Sequence, residues 1–469
     1  MGIISTLKGW VNMLFRSKVK EEFKVKSITS STMERMINLC SDIYAGNPPW
    51  VDPDNHIKTI NFAKSVCSEV ARLSTLAIGI HIDGSARAEW LQTQIDKEYF
   101  NIRKWMEYAC AYGTVILKPN GESIDLYTPG KFMVTDSKYG EITGVVFVSQ
   151  EEDVKNKKYY TRLEYHRFVE DGTYVITNKC YVGSTKNDVN TVVDIEKTPW
   201  AGLLPEVGIT NIKSPLYGVL KTPQANNIDI NSPLSLPIFA DAIEEFKDLD
   251  IAYSRNAKEI YDSGRILLLD SDRMLPTGRP VKDIVSDFNS TREIMGLPDI
   301  VKNVYGDGAS TFYQEINPSL NTDTRLTGIN ALLSQIGYKC GFSNGYFVFN
   351  EASGIQTATG VEAEQQRTIQ FIKDCRDKLE CCLKDLIYAL NVFADLYELA
   401  PLGEYEIVFD FGDITYNREE DRARWYSYAN SGKIPFWRYL VKFEGMTEEE
   451  AKEIVAEAQQ KAPVFFGEE

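Results

Sequence analysis

Two aspartates that follow a predicted strand have the spacing most compatible with catalysis in this chain. Asp410 and Asp413 lie three positions apart in the sequence Phe-Asp-Phe-Gly-Asp. Two carboxylates at the end of a strand can hold Mg²⁺ or share proton transfer. Aspartate is also frequent at strand ends and in turns for conformational reasons alone. A metal-dependent carboxylate enzyme is therefore an alternative to the simpler interpretation, an ordinary turn.

Other chemistry is not evident in the sequence. It has no Gly-rich phosphate-binding loop, no HExxH zinc motif and no GxSxG nucleophile motif. The three histidines, His56, His81 and His166, lie in separate segments, and the alternating strand around His166 predicts a solvent-facing ring. Eight cysteines without CxxC spacing predict buried thiols in a reducing cytoplasm. We expect no catalytic residue, no metal and no cofactor.

The composition also narrows the possible functions. The chain has 469 residues and a formal net charge of −16 at pH 7. An acidic chain lacks the basic surface with which proteins hold nucleic acid tightly, so any contact with DNA is expected to be loose. No apolar run approaches the roughly 18 residues that cross a bilayer, so no membrane span is predicted.

The first residues predict an amphipathic helix. Apolar side chains recur at helical spacing within residues 2–23, with basic side chains around them. Such a helix can lie on a membrane surface, which makes a membrane-associated scaffold a second alternative. A helix docked on the protein itself or on a partner explains the same pattern and is our preferred interpretation.

The elements that follow predict an α+β chain. Helices are expected over 31–44, 62–78 and 90–112, and then the apolar period changes from helical spacing to alternation. Strands are expected over 114–118, 123–127, 131–135, 142–149, 159–168 and 172–177. A loop rich in Pro and Gly, 198–232, leads out of this domain, which ends near Asn231.

The second half predicts a pair of helices with a module inserted between them. A helix over 237–261 carries an acidic face, and a helix from 322 follows a strand at 265–270 and a short mixed module. A glycine-rich hairpin over 339–354 comes next, and a run without Gly or Pro over 361–400 predicts a helix of about 60 Å. A strand at 404–411 and helices at 418–431 and 448–460 complete the chain.

Several stretches share their sequence and order with one known family. They are Tyr44-Ala-Gly-Asn-Pro-Pro-Trp50, Gly113-Thr-Val-Ile-Leu-Lys-Pro119, Pro223–Ala242, Gln314–Leu320, Lys339–Phe342, Ser353–Gly354 and Thr357–Thr359. Together they resemble the portal proteins of tailed double-stranded-DNA bacteriophages, specifically long-tailed phages of Gram-positive hosts. The chain departs from that pattern at Pro237, near the start of a helix, and at Gly360, where the family has an acidic residue.

The resemblance implies an α+β portal fold with named parts. They are an N-terminal helix and wing (1–231), a first stem helix (232–263), an inserted clip (264–321), a second stem helix (322–340), a tunnel loop (341–358), a long radial wing helix (359–400), and a wing strand with a helical crown (401–469). It further implies a homo-oligomeric ring, usually of twelve subunits, at one capsid vertex of the virion, assembled in the host bacterial cytoplasm.

The same resemblance implies partners and site residues. DNA would be packaged through the channel by the terminase large subunit and would leave through it, and a tail adaptor and the major capsid and scaffolding proteins would bind the ring. The implied site residues are Phe342, Ser343, Asn344, Phe347 and Asn350 in the tunnel loop, Asp241, Glu244, Glu245 and Asp248 lining the channel, and Arg265, Asp283 and Asn317 in the clip. The acidic helix face would then keep DNA phosphates from adhering.

Overall fold

A computed structural model describes most of the chain and divides it into two compact units. The described residues are 15–51, 56–121, 123–186, 188–189, 191–262, 266–270, 300–304, 313–316, 321–348, 358–412, 418–431, 433–444 and 446–460. The first unit comprises residues 1–75 and 79–409, and the second comprises residues 76–78 and 410–469. Helices and mainly antiparallel sheets occupy separate stretches, which confirms the predicted α+β class.

The regular elements of the first unit have the following bounds. Its described helices are α1 (15–23), α2 (Ser31–Tyr44), α3 (Phe62–Ser74), α4 (Ala86–Tyr112), α5 (Ile243–Asp262), α6 (Thr322–Lys339) and α7 (Ala358–Leu396). Its described strands are β1 (Gly79–Asp83), β2 (Thr114–Pro119), β3 (Ile124–Tyr127), β4 (Phe132–Lys138), β5 (Glu141–Asp153), β6 (Lys158–Phe168), β7 (Tyr174–Gly183), β8 (Thr191–Val193), β9 (Glu206–Ile209), β10 (Gly218–Lys221), β11 (Ile266–Asp270), β12 (Ile300–Val304), β13 (Tyr313–Ile316) and β14 (Glu406–Asp410).

A large antiparallel sheet forms the centre of the first half. Strands β4 to β7 follow one another as a meander, and β7 pairs with both β8 and β9. One face of this large sheet is apolar and is covered by Phe15 and Val19 of α1, which pack with Met133, Leu163 and Tyr181. Because α1 buries its apolar residues on its own protein, docking rather than membrane contact accounts for this part of the predicted amphipathic helix. Residues 2–14 lie outside the described residues.

Helix α7 is the longest described element, with 39 residues, and it confirms the predicted long helix. Its apolar stripe packs on α3, α4, β2 and β10. Strand β10 approaches it so closely that a Cβ at Gly218 would lie 2.5 Å from the carbonyl oxygen of Cys382. Glycine is therefore required at this contact.

Two buried arginines satisfy carbonyl groups at helix ends. Arg87 of α4, which is 1% exposed, donates to the carbonyl oxygens of Asn391, Ala400 and Pro401 at and beyond the end of α7. Arg376 of α7 donates to the carbonyl oxygens at the end of α3. The last carbonyls of a helix have no partner within the helix, so each arginine neutralises groups that burial would leave unsatisfied.

Helices α5 and α6 pack side by side and run antiparallel. Glu245 near the start of α5 pairs with Lys339 at the end of α6, whereas Glu259 near the end of α5 pairs with Arg325 near the start of α6. Strands β11, β12 and β13, which lie between these helices in the sequence, form a sheet of their own with β11 in the centre. The predicted order of helix, inserted module and helix is confirmed at the level of these elements.

Several predicted elements need correction. The loop predicted over 198–232 contains β9 and β10, because their polar and glycine-rich sequences pair with strong neighbouring strands. Helix α2 begins at Ser31 as predicted and is capped by the Ser30 hydroxyl, which accepts from the Met33 N–H. The helix predicted to continue to residue 78 ends at Ser74, where Arg376 binds the last carbonyl groups.

The second unit is a small helical cluster. It contains α8 (Arg418–Asn430), α9 (Phe436–Glu444) and α10 (Glu448–Gln460). Helix α9 was not predicted, because its short aromatic sequence after Pro435 reads equally as a strand or a loop. Tyr439 and Phe443 of α9 are buried in the core of the second unit, and Arg422 donates to the Tyr439 hydroxyl at 3.0 Å.

Candidate functional site

Helix α5 begins later than the sequence predicts. Residues Ala240–Ala242 form a 3₁₀ turn, and regular α-helix starts at Ile243 rather than near Pro237. Pro237 has no N–H to donate within a helix. The next N–H, that of Ile238, donates to the Cys110 carbonyl at 3.0 Å, and this hydrogen bond holds the segment before α5 on the end of α4. The start of α5 is thereby fixed on the main body of the unit.

Three of the four predicted channel-lining carboxylates share one exposed surface. Asp241, Glu244 and Asp248 are all exposed. Glu244 and Asp248 are four positions apart on one side of α5, and Asp241 lies three positions before Glu244 in the preceding 3₁₀ turn. Among described residues, Asp241 accepts from the Asn227 amide at 3.1 Å and Glu244 lies 3.7 Å from Lys247. We call Asp241, Glu244 and Asp248 the acidic face.

Glu245 does not belong to the acidic face. Its side chain is 13% exposed and pairs with Lys339, and Gln335 donates to the same carboxylate oxygen at 3.1 Å. Residue 245 lies about 100° around the helix from residue 244, which turns it towards α6. Glu245, which was predicted to line the channel, therefore joins the two helices instead of sharing the exposed surface of the other three.

Asp250 anchors α5 to the N-terminal part of the chain. It is 4% exposed, and its carboxylate accepts from the Trp50 indole N–H at 2.9 Å and from the Ile60 N–H at 3.0 Å. One turn later the Ser254 hydroxyl accepts from the Lys58 N–H at 2.9 Å. Hydrogen bonds from neutral donors to a buried carboxylate are strong, so this contact holds α5 in place.

The start of the predicted tunnel loop is a packed turn. Gly341 has φ +94°, and a Cβ there would lie 2.6 Å from the Phe371 ring, so only glycine fits. Phe342 is fully buried, with ring centroids 4.8 Å from Tyr346 and 4.7 Å from Phe347. The expectation that Phe342 contacts DNA is therefore corrected, because its ring is part of the protein core.

The remaining described loop residues are also held by neighbouring helices. Ser343 is 5% exposed, and its N–H donates to the Thr368 hydroxyl at 2.8 Å. Asn344 is exposed, and its side-chain oxygen accepts from the Ser334 hydroxyl. Phe347 is half-buried, and its ring centroid lies 5.2 Å from that of Phe62. Of the four described loop residues predicted to meet DNA, Asn344 is thus the one at the surface. Asn350 lies outside the described residues.

Tyr346 connects this turn to α3. Its hydroxyl donates to Glu69, which also binds Arg72 at 2.7 Å. Burial and the bond to Glu69 raise the pKa of Tyr346 to about 12, and the bond from Arg72 lowers the pKa of Glu69. The phenol therefore stays protonated and the carboxylate ionised, which preserves this contact at neutral pH.

Other predicted site residues lie beyond what the structure describes. Arg265, Asp283 and Asn317 of the predicted clip, and Asp413 of the predicted metal pair, lie outside the described residues, while Asp410 is exposed at the end of β14. Within the described ranges no group of three or more His, Cys, Asp and Glu side chains could hold a metal ion. No described helix is both long and apolar enough to cross a bilayer.

A buried ionic network in the large sheet escaped the sequence analysis. Glu164 of β6 accepts from Lys118 at 2.7 Å and from His166 at 2.9 Å, and it forms an ion pair with Arg162 at 2.9 Å. His166 is 1% exposed, so the prediction that it faces solvent is wrong. Alternation in β6 gave the correct period, but the face bearing His166 is covered by β2 and Tyr217, which no local pattern reveals.

The network defines the protonation state of its members. Burial on its own would raise the pKa of Glu164, but Lys118, His166 and Arg162 hold that pKa well below its usual range. Burial lowers the pKa of His166, so the ring is neutral at pH 7. Its Nε2–H then donates to ionised Glu164, and Nδ1 accepts from the Tyr174 hydroxyl at 2.8 Å.

The cysteines follow the predicted pattern with one exception. Cys40, Cys340 and Cys375 are among those that are buried, and burial raises the pKa of Cys40 to about 12. Cys381 is exposed on α7, because it lies one position off the apolar stripe that buries Cys382.

Comparison with solved structures shows a distant likeness to a virion protein. No family model and no curated protein matches the chain. Among solved structures, a chain of the virion of a native gene transfer agent particle is similar over 87% of this chain and 93% of its own, with 10% identity and a TM-score of 0.41. A likeness at this level assigns no family and carries no argument about function.

Proposed function

We propose that this chain is a portal protein of a tailed double-stranded-DNA bacteriophage, which forms the ring through which the genome enters and leaves the capsid. The observation that supports the proposal is the antiparallel α5–α6 pair, whose α5 helix carries the acidic face on its exposed side. The strands of the β11–β13 sheet lie between these two helices in the sequence. This arrangement agrees with the order of stem, clip and stem that the sequence resemblance implies. The chain would belong to the virion at one capsid vertex, after assembly in the host bacterial cytoplasm.

The acidic face suits a channel through which DNA passes without binding tightly to the wall. Exposed carboxylates repel the phosphates of DNA, and three of them on one face would be repeated in every subunit around a ring. The anchors at Asp250 and Glu245 keep that face fixed in position. The turn at residues 341–348 is packed on neighbouring helices with Asn344 at its surface, and Asn344 and Asn350 would contact DNA.

The partners follow from the same proposal. A ring of usually twelve copies requires complementary flanks on each subunit, because a heterologous contact must close. The terminase large subunit and later the tail adaptor would bind the sheet between the stem helices, with Arg265, Asp283 and Asn317 in that contact. The major capsid and scaffolding proteins would surround the ring, and the motor would supply the ATP chemistry.

Particle mass and shape test the ring directly. Purified full-length chain should form closed rings of roughly 0.6 MDa, twelve times the subunit mass of 53.2 kDa, in negative-stain images and mass photometry. A chain that stays monomeric or dimeric under all assembly conditions would contradict the portal proposal.

Charge reversal tests the channel. Replacing Asp241, Glu244 and Asp248 by lysine should leave ring assembly intact but reduce DNA packaged per capsid about tenfold or more, because phosphates would adhere to the lining. A matched variant reverses three exposed acids elsewhere, Glu89, Glu170 and Glu196. Equal packaging by the two variants would rule out the acidic face as channel lining.

A further inference from the structure

A cleft in the first unit ends on a cluster of buried charges. It has a volume of about 1460 Å³ and is lined by the large sheet, α4, the last turns of α7 and the loop that carries Trp200. Lys118, Arg162 and Glu164 line it, and each is less than 10% exposed. We call these three side chains the cleft floor.

The cleft floor carries more positive than negative charge. Lys118 Nζ and an Arg162 terminal nitrogen both bind the same oxygen of Glu164, at 2.7 and 2.9 Å. The other oxygen of Glu164 is taken by His166, which is neutral. Two cations therefore share one carboxylate, which leaves one positive charge uncompensated in a region of low dielectric constant.

Arg162 also has a donor without a partner. Its side chain is 7% exposed, and its Nε–H has no acceptor among the described residues. Glu98 lines the same cleft, but its two oxygens accept from the Ile124 N–H at 3.3 Å and the Asn101 amide at 2.7 Å. Within the described chain, Glu164 is the carboxylate within 4 Å of either cation.

We propose that the cleft floor binds one small oxyanion, a carboxylate or a phosphate, between Lys118 and Arg162. The oxyanion would neutralise the extra charge and accept from Arg162 Nε–H, in the geometry with which arginine binds such groups. Trp200, whose ring centroid lies 5.2 Å from the guanidinium carbon, would cover the bound group. This site does not depend on the proposed function.

The rest of the cleft limits the size and charge of the ligand. Its other charged lining residues are Lys97, Lys131, Lys186, Glu98, Asp125, Glu151 and Glu152. Three lysines against four acids give no attraction for a polyanion, so DNA is excluded and a single oxyanion is selected. That oxyanion comes either from a free small molecule or from an acidic side chain of a second copy of this chain.

Titration with inorganic phosphate tests the site. Full-length protein is titrated with phosphate at constant ionic strength, and binding is followed by calorimetry and by tryptophan fluorescence. We expect saturable binding that Arg162→Gln weakens about tenfold or more, since a hydrogen bond to a charged group is lost. Lys158→Gln, at an exposed position of β6 outside the cleft lining, is the matched control and should bind phosphate as the wild type does.

A second variant distinguishes binding from a merely structural role. Glu164→Gln removes the carboxylate that competes for both cations, so it should tighten phosphate binding several-fold. A network that serves only packing predicts no gain. Trp200→Phe should abolish the fluorescence change and leave the calorimetric signal in place. This pair of results also covers the case in which Arg162→Gln fails to fold.

Measuring self-association together with phosphate binding distinguishes the two possible sources of the oxyanion. Phosphate binding by the dispersed chain indicates a free small molecule. If the dispersed chain does not bind phosphate but both phosphate and Arg162→Gln weaken self-association, the oxyanion is an acidic side chain of a second copy. Absence of phosphate binding together with unchanged self-association of Arg162→Gln overturns the proposal.

Discussion

Glu164 of β6 and Glu244 of α5 are acidic residues of the same unit in opposite environments. Glu164 is 7% exposed and is bound by three side chains, whereas the Glu244 side chain is 83% exposed and lies 3.7 Å from one lysine. In the large sheet a carboxylate organises its neighbours and would be costly to remove. On the acidic face it shapes the surface potential and contributes little to folding.

The difference between these regions lies in what covers them. The large sheet has elements on both faces, so a charge placed there must find partners within the protein. Helix α5 buries one side against α6 and presents the other outwards, so its carboxylates remain solvated. The position of a charge relative to the layers of the fold, rather than its residue type, therefore separates a structural role from a role at the surface.

Removing Glu164 should have the largest effect. Glu164→Leu leaves Lys118 and Arg162 buried without a carboxylate, and we expect a loss of about 3–5 kcal/mol in the free energy of unfolding. Urea denaturation followed by circular dichroism measures it. Glu244→Leu on the acidic face is the matched control and should change this free energy by about 0.5 kcal/mol or less. A loss of stability for Glu164→Leu as small as that expected for the control would mean that the network does not stabilise the fold.

The pH dependence of stability should be the next largest effect. The pKa of His166 is lowered in the folded state, so as pH falls below about 6.5 the unfolded chain takes up the proton first and the folded state loses stability. The slope from this residue is up to about 1.4 kcal/mol per pH unit. Glu164, whose pKa is depressed, adds a further loss at lower pH, below about 4.3.

Urea denaturation at pH 7.5, 6.5 and 5.5 checks this prediction. His166→Gln should flatten the pH dependence over that range, even if it lowers stability overall. His81→Gln, at an exposed position of β1, is the control. If the wild type and both variants show the same slope, His166 is not the titrating group.

The contact between α5 and α6 should give a smaller effect. Glu245 and Lys339 are 13% and 35% exposed at their side chains, which places the pair between the buried network and the acidic face. A double-mutant cycle with Glu245→Gln and Lys339→Met should give a coupling energy of about 0.5–1 kcal/mol. The exposed pair Glu244 and Lys247 should give about 0.3 kcal/mol. A larger value for the exposed pair would reverse the comparison.

The smallest effect on stability is expected at the acidic face itself. Replacing Asp241 and Asp248 by Asn and Glu244 by Gln should change the free energy of unfolding by about 0.5 kcal/mol or less per site, because solvated charges are screened. Denaturation at low and at high salt measures the change and its screening. A loss of several kcal/mol would show that these residues are structural and would remove the support for a channel lining.

Local pattern predicted the elements better than the environments of their side chains. Ile372, Leu379 and Leu386 recur at helical spacing in α7, and all three are buried. Alternation predicted strands β5 and β6 but placed His166 in solvent. The pattern sets a period, and the buried face depends on partners such as Lys118, which lies 46 residues before Glu164. The covered face of β6 that bears His166 carries polar and charged side chains, so its alternation resembles that of a strand with one face in solvent.

The candidate site shows the same division. Composition and spacing indicated the acidic face, and three of its four predicted residues are exposed together. They did not separate Glu244 from Glu245, because the lysine that binds Glu245 comes 94 residues later. The aromatic loop residues seemed available for DNA, yet Phe342 is buried against residues of its own turn, and Phe347 packs on Phe62 from far earlier in the chain.

The sequence by itself determined the periods, the breaks and the total charge of this protein, because these depend on neighbours within a few residues. It thereby determined an α+β chain, a long helix and a helix pair with an inserted module. Only the tertiary structure decided which charges are buried, since burial depends on surfaces that meet across tens or hundreds of residues. The unmatched donor of Arg162 and the acidic face of α5 both result from that long-range packing.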